Sequence, residues 1–244
     1  MMKLPLIIML AIFQVPVYVS ADETAQALYE QGMNYMSSGD QEKAIESLRK
    51  AVKLNPNIPQ LRNALGVALL DKTGNLKLAK EEFEAATKLN PSYGEPFFNM
   101  GTYYAGTGKD PVLATEYFQK AVQADPSFAK AYMGLGWISL ERKDAKKAVE
   151  SFEKAVELHP TFPEAQYGLA VAYTGMKKNE LALKPITALR EIGRYDLAQA
   201  VEAVIQENQK KLEAPPATTS TAGAGKAQSA AGGSSEKKGG FLGF

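Results

Sequence analysis

Side chains suited to acid–base or metal chemistry are few in this sequence. The 244 residues contain one histidine, His159, and no cysteine. Without cysteine the chain has no disulfide, no thiolate ligand and no thiol nucleophile. A zinc site needs several ligands at suitable spacing, and His159 has no such companions. We therefore predict no catalytic residues, no metal site and no cofactor, and we expect a protein that is not an enzyme.

The carboxylates and glycines that would suit other chemistry have simpler explanations. Asp110 and Asp144 would suit an acid–base pair, but both belong to a regular series of helix starts described below. Gly74 and Gly108 lie in predicted loops that lack the signature of a phosphate-binding loop. The chain has 28 basic and 27 acidic residues, a formal net charge of +1. No nucleic-acid partner is predicted from so balanced a charge.

Three series of residues recur with a common period. One places Asn, Asp or His before proline at spacings of 35, 35 and 34 residues: Asn55-Pro56, Asn90-Pro91, Asp125-Pro126 and His159-Pro160. A second series consists of Asp and Asn: Asp40, Asn75, Asp110, Asp144 and Asn179. A third consists of small residues: Gly32, Gly66, Gly101, Gly136 and Ala170. Series that share one period indicate a repeat architecture built from one supersecondary unit.

Each series predicts one feature of that unit. Asp and Asn side chains accept hydrogen bonds from the free amides of a first helical turn, so the second series predicts helix starts. Proline disfavours the helical conformation of the residue before it, so the first series predicts helix ends. Glycine within a helix costs about 1 kcal/mol relative to alanine, so the third series predicts close helix–helix contacts. Each repeat is therefore predicted to be helix A, a turn, helix B and a proline-containing turn.

The fourth repeat shows the recurring pattern of large and small residues most fully. These residues are Tyr132, Leu135, Gly136, Ala148, Phe152, Ala155 and Pro160. The pattern resembles the tetratricopeptide repeat family over about residues 25–196. The resemblance implies an all-α, right-handed solenoid of about five helix-turn-helix repeats, at 25–58, 59–93, 94–128, 129–162 and 163–196. Ser139 departs from the family's aromatic, and Pro185 predicts a kink or early break in the last helix B.

The segments outside the repeats differ in composition. Residues 1–21 combine a basic start, an apolar run and Val19-Ser20-Ala21, the pattern of a secretory signal peptide. We expect an exported bacterial protein, periplasmic or extracellular, or one anchored to the membrane by its N-terminal segment if the signal is not cleaved. Residues 197–213 are predicted to form a capping helix over the last repeat. Residues 214–244, rich in Ala, Gly, Ser and Thr, predict a disordered tail.

The family resemblance implies a binding function. In this family the A helices line a concave groove that binds an extended or helical peptide, and the fifth and ninth repeat positions face it. With Asn99 added as a backbone-binding amide, the predicted groove residues are Tyr29, Met33, Asn63, Val67, Phe98, Asn99, Thr102, Met133, Trp137, Tyr167 and Val171. Because most of them are apolar or aromatic, we predict a protein or peptide partner bound through side-chain contacts.

Two alternatives to a groove-binding adaptor of the cell envelope remain open. One is a permanent structural subunit of an envelope assembly, such as a pilus, secretion or outer-membrane complex. The other is an enzyme with an unrecognised site. The isolated apolar cluster of Phe241, Leu242 and Phe244 predicts a docking motif for a partner or a neighbouring groove, including self-association, or else belongs to an inert tail.

Overall fold

The computed structural model describes residues 21–70 and 75–213, and the side chains of residues 24–70 and 75–210. The predicted signal segment up to residue 20 and the predicted tail at 214–244 lie outside the described residues. Residues 71–74 lie outside them as well. Predictions about these segments therefore stay predictions.

Within the described residues the chain forms eleven α-helices and no strand. In order they are α1 (Ala21–Ser38), α2 (Gln41–Leu54), α3 (Pro59–Leu70), α4 (Leu76–Leu89), α5 (Glu95–Ala105), α6 (Pro111–Ala124), α7 (Ala129–Glu141), α8 (Ala145–Leu158), α9 (Pro163–Gly175), α10 (Asn179–Glu191) and α11 (Tyr195–Glu213). The odd-numbered helices α1 to α9 are the A helices of five pairs, and each is followed by its helix B. The predicted all-α fold of helix-turn-helix repeats is confirmed.

Three of the predicted helix starts are capped as expected, and one is wrong. Asp40, Asp110 and Asp144 are N-cap residues whose carboxylates accept hydrogen bonds from amides two or three residues further on. Asn179, however, is the first residue of α10, and the N-cap is Lys178, whose side chain makes no capping bond. The fourth repeat is 34 residues long, whereas Asn179 follows Asp144 by 35 residues. Asn179 is therefore one residue too late to cap its helix.

The four described turns from helix A to helix B share a left-handed backbone residue. This residue is Gly39, Lys109, Lys143 or Lys177, with φ values of 78°, 47°, 60° and 59°. In the fourth repeat the next amide, that of Asp144, donates to the carbonyl of Ser139 at 2.8 Å. Such bonds satisfy carbonyls at the end of helix A. Because a left-handed conformation costs a residue with a side chain about 1–2 kcal/mol, the three lysines lie where glycine would be preferred.

The chain divides into two compact units, residues 1–82 and 83–244, with the boundary inside α4. In the first unit α1 packs on α2 and α3. The Leu48 side chain lies against Gly32, where an added Cβ would be 2.6 Å from Leu48 Cγ. Ala25, Ala51 and Leu61 form a buried cluster. This packing explains why a small residue is required at Gly32.

In the second unit, buried phenylalanines of the B helices lie between glycines of two A helices. An added Cβ would be 2.7 Å from the Phe152 ring at Gly136 and 2.3 Å from it at Gly168. The same arrangement one repeat before consists of Gly101, Phe118 and Gly134, with distances of 2.6 and 2.8 Å. The glycines thus leave room for a large ring from a B helix, and this is how the helices predicted to approach closely pack together. Gly134 and Gly168 form a second glycine series that the sequence analysis missed.

The contacts between helices place the A helices on the inner side of the second unit. α5 contacts α7, α7 contacts α9, and α9 contacts α11. In the described part of this unit, the backbones of consecutive B helices do not come as close together as those of consecutive A helices. A stack whose A helices lie closer together than its B helices must curve toward the A helices.

The fifth repeat is regular despite its proline. α10 runs without interruption from Asn179 to Glu191, and Pro185 is buried in its middle. Of the two outcomes predicted at Pro185, a kink or an early break, the early break is wrong, because the packing of α10 on α9 and α11 outweighs the lost hydrogen bond. Ala198 and Val201 of α11 are buried against α10. None of the described helices combines the length and apolar content that spanning a membrane requires.

Candidate partner-binding face

A row of half-buried aromatic side chains runs along the A helices of the second unit. Phe98, Trp137 and Tyr167 lie on α5, α7 and α9. The Trp137 ring is 6.0 Å from the Tyr167 ring and meets the buried Phe152 edge-on at 5.1 Å. Phe98 lies 5.6 Å from Phe118. Each ring of the row therefore has one side on the core and part of its surface open to solvent.

The other predicted groove residues of this unit differ in accessibility. Met133 is only 1% exposed and belongs to the core around Phe152, so it offers almost no surface to a partner. Asn99, Thr102 and Val171 are half-buried. Among the described side chains, the buried hydroxyl oxygen of Thr102 has no hydrogen-bond partner. Trp137 thus provides the accessible aromatic surface of α7, with Met133 beneath it.

The first unit contains the remaining four predicted groove residues. Met33 is 40% exposed on α1, while Tyr29 on the same helix packs partly against the Ala25 cluster. On α3, Asn63 is buried and Val67 is half-buried. The accessible part of this face is therefore apolar, as it is in the second unit.

The electrostatics of the aromatic row favour a neutral surface. Burial raises the pKa of Tyr167 above its usual 10.0, so its hydroxyl stays protonated at neutral pH. His159 lies in the exposed turn between α8 and α9, where its ring contacts Phe162. The described residues contain no cluster of three or more His, Asp or Glu side chains suited to a metal ion. The face can make apolar, stacking and hydrogen-bond contacts with a partner.

Two crevices between consecutive B helices were missed by the sequence analysis. One, of about 420 Å³, lies between α6 and α8 and includes Ser139 in its lining. The other, of about 400 Å³, lies between α8 and α10 and includes Tyr173 and Leu181. The departure of Ser139 from the aromatic pattern was a sequence signal for the first crevice. Because the walls of each crevice come from separate repeats, the shape of the crevices could be determined only from the structure.

Four family models match the repeats. One described as "TPR repeat" matches residues 32–72, and models described as "Tetratricopeptide repeat" match residues 59–93, 98–161 and 139–205. Together they cover most of the chain. The chain belongs to the tetratricopeptide repeat family. The repeats of this family serve generally as non-catalytic modules for protein interaction.

Several solved tetratricopeptide repeat structures resemble this chain. The MamA protein is 24% identical, with 80% of this chain and 98% of that chain covered and a TM-score of 0.51. The pilF protein of Pseudomonas aeruginosa is 22% identical, with 79% and 100% covered and a TM-score of 0.59. YrrB is 23% identical, with 73% and 92% covered and a TM-score of 0.51. At these identities the likeness shows the fold alone, and no curated protein sequence matches the chain.

Proposed function

We propose that this tetratricopeptide repeat protein is a non-enzymatic adaptor of the cell envelope. It binds a partner peptide or helix on the inner face formed by its A helices. The observation that carries the proposal is the row of Phe98, Trp137 and Tyr167 on three consecutive A helices. Aromatic residues are enriched in protein interfaces because they bury a large area at a low entropic cost.

Two further observations support binding to a protein partner. YrrB, which has a similar fold, is described as a tetratricopeptide repeat protein with an unusual peptide-binding site. In the present chain, Trp137 and Tyr167 contact each other across two repeats, so an elongated partner could lie along both. The envelope location rests on the signal-like pattern of residues 1–21.

A permanent structural subunit is the second candidate, favoured by apolar side chains on the B helices. Val112 on α6 is 65% exposed and Leu183 on α10 is 58% exposed. Exposed apolar residues on the outer side would suit a fixed contact within a larger assembly. In that case the interface lies on the B helices, and the inner face contributes little.

The test adds charge to one face at a time. Asn99→Glu with Val171→Glu introduces two carboxylates on the A helices α5 and α9 of the second unit, while leaving the aromatic rings in place. Val112→Glu with Leu183→Glu introduces two carboxylates at exposed positions of the B helices α6 and α10 of the same unit. The chain and both variants are used to capture partners from an envelope extract, after circular dichroism has shown that all three are equally helical.

We expect the A-helix variant to lose the partner and the B-helix variant to retain it. The single tryptophan, Trp137, then provides a second measurement, because a partner that covers its ring shifts its emission to shorter wavelength. Retention of the partner by the A-helix variant would refute the groove proposal. Loss in the B-helix variant alone would support the structural-subunit alternative.

A further inference from the structure

The crevice between α8 and α10 has an apolar floor. It has a volume of about 400 Å³ and lies on the B-helix side of the second unit. Its apolar lining residues are Val156, Leu169, Leu181, Pro185 and Ala188. Leu181 remains 49% exposed at the rim. An apolar crevice with an exposed leucine at its edge is suited to bind further apolar side chains.

The rim of this crevice is acidic. Glu153, Glu157 and Glu180 line it, together with Lys184. Lys154 forms an ion pair with Glu157 at 2.9 Å, so two ammonium groups offset three carboxylates. Glu153 also accepts a hydrogen bond from the hydroxyl of Tyr173. The remaining excess of negative charge favours a ligand that carries positive charge beside its apolar groups.

The chain itself contains a segment with this combination. In residues 214–244 the charged side chains are Lys226, Glu236, Lys237 and Lys238, a net charge of +2 from three lysines and one glutamate. The apolar cluster of Phe241, Leu242 and Phe244 follows the lysine pair after two glycines. The two properties that the crevice favours in a ligand, positive charge and apolar side chains, therefore occur together within eight residues.

The length of chain is sufficient to reach the crevice. From Leu181 to Glu213 the path runs along α10, a short turn and α11. At about 1.5 Å per helical residue this path is at most about 55 Å. Residues 214–236 can span up to about 80 Å at about 3.4 Å per residue. The segment can therefore reach the crevice whichever direction it takes from Glu213.

We propose that residues 237–244 dock in the crevice between α8 and α10 of the same chain. The apolar side chains of Phe241, Leu242 and Phe244 contact the floor, and the two lysines lie beside the glutamates of the rim. Covalent linkage raises the effective concentration of the segment to about the millimolar range, which favours this occupant over a separate molecule. The proposal concerns the B-helix side and does not depend on binding at the aromatic row.

Disulfide trapping tests the contact, because the natural chain has no cysteine. The full-length variant Leu181→Cys with Leu242→Cys is exposed to a mild oxidant. The matched control pairs Leu242→Cys with Leu183→Cys, which is on the same helix and similarly exposed but points about 200° away from Leu181. A disulfide requires Cα atoms about 4.4–6.8 Å apart, so it reports close approach.

We expect the Leu181 variant to form an intramolecular disulfide at least about tenfold faster than the control. Docking holds residue 242 beside residue 181, whereas the linker alone gives both cysteine pairs a similar effective concentration. The rate should not change on dilution, and mass spectrometry should identify the linked peptides. Equal rates in the two variants would overturn the proposal. Linked dimers whose formation falls on dilution would overturn it as well, and would assign the crevice to the tail of a second copy.

A charge exchange tests the basic half of the contact. In the trapping variant, Lys237→Glu with Lys238→Glu should slow disulfide formation by about threefold or more, as expected for exposed ion pairs. Adding Glu157→Lys with Glu180→Lys should restore the rate, provided circular dichroism shows unchanged helicity. A slowed rate that the second exchange fails to restore would contradict recognition of the lysines by this rim.

Discussion

Two repeat junctions of the second unit can be compared residue by residue. At the junction of the third and fourth repeats, Phe118 lies between glycines of α5 and α7. At the junction of the fourth and fifth repeats, Phe152 lies between glycines of α7 and α9. Both rings are buried. The interiors of the two junctions are therefore built in the same way.

The surfaces of the same two junctions differ. Residues at equivalent places, 34 apart, are Gln119 and Glu153, Ser139 and Tyr173, Lys147 and Leu181, and Ser151 and Pro185. The α6–α8 crevice has balanced charges, whereas the α8–α10 crevice is apolar and acidic at its rim. Packing therefore constrains the interior of each repeat, while the side chains that line the crevices differ from one repeat to the next.

The largest expected effect tests whether the two interiors are equivalent. Phe152→Ala and Phe118→Ala should each reduce the free energy of unfolding by about 3–5 kcal/mol, because glycines on both sides offer no side chain to fill the cavity. Urea denaturation followed by circular dichroism measures both. The two values should agree within about 1 kcal/mol, within the spread of such substitutions. A much larger difference would contradict the equivalence of the interiors.

The next effect tests the difference between the surfaces. Ser139→Tyr should increase the free energy of unfolding by about 1 kcal/mol, because the added ring covers part of the α6–α8 crevice. Tyr173→Ser should reduce it by about 1–2 kcal/mol for the opposite reason. Ser139→Ala is the control, since it removes only the hydroxyl that donates to the carbonyl of Leu135. No gain from the added ring would indicate that the crevice cannot accept it.

The smallest effect is a pH dependence confined to one junction. Burial, together with the hydrogen bond and charge of Glu153, raises the pKa of Tyr173 from 10.0 to about 12. Because the folded state favours the protonated hydroxyl, this stabilisation is complete below pH 10.0 and is lost as the pH rises toward about 12. Urea midpoints across this window should fall less in Tyr173→Phe than in the natural chain. The Ser139→Ala control should retain the full decrease, and an undiminished decrease in Tyr173→Phe would contradict the assignment.

Much of the fold could be predicted because its signals are local. A carboxylate two or three residues before a free amide caps a helix whatever the rest of the chain does, and Asp40, Asp110 and Asp144 do so. Asn179 shows the limit of this reasoning. A shift of one residue in the length of the fourth repeat moved it from the N-cap into α10.

The candidate binding face was less predictable, because accessibility depends on neighbouring repeats. Repeat position alone assigned Met133 and Trp137 equally to the groove. The structure buries Met133 against Phe152 and leaves Trp137 half-exposed between Phe152 and Tyr167. The distinction arises from how α7 is rotated against α8 and α9, and no pattern within one helix records that rotation.

The amino-acid sequence was sufficient to predict the repeat period, the alternation of helices A and B, most of the caps and the family. These depend on interactions within a few residues or on spacing along the chain. The tertiary structure decided that α10 continues through Pro185, that Met133 is core, and that an acidic-rimmed apolar crevice lies between α8 and α10. These features depend on side chains from separate repeats, which meet only when the helices pack.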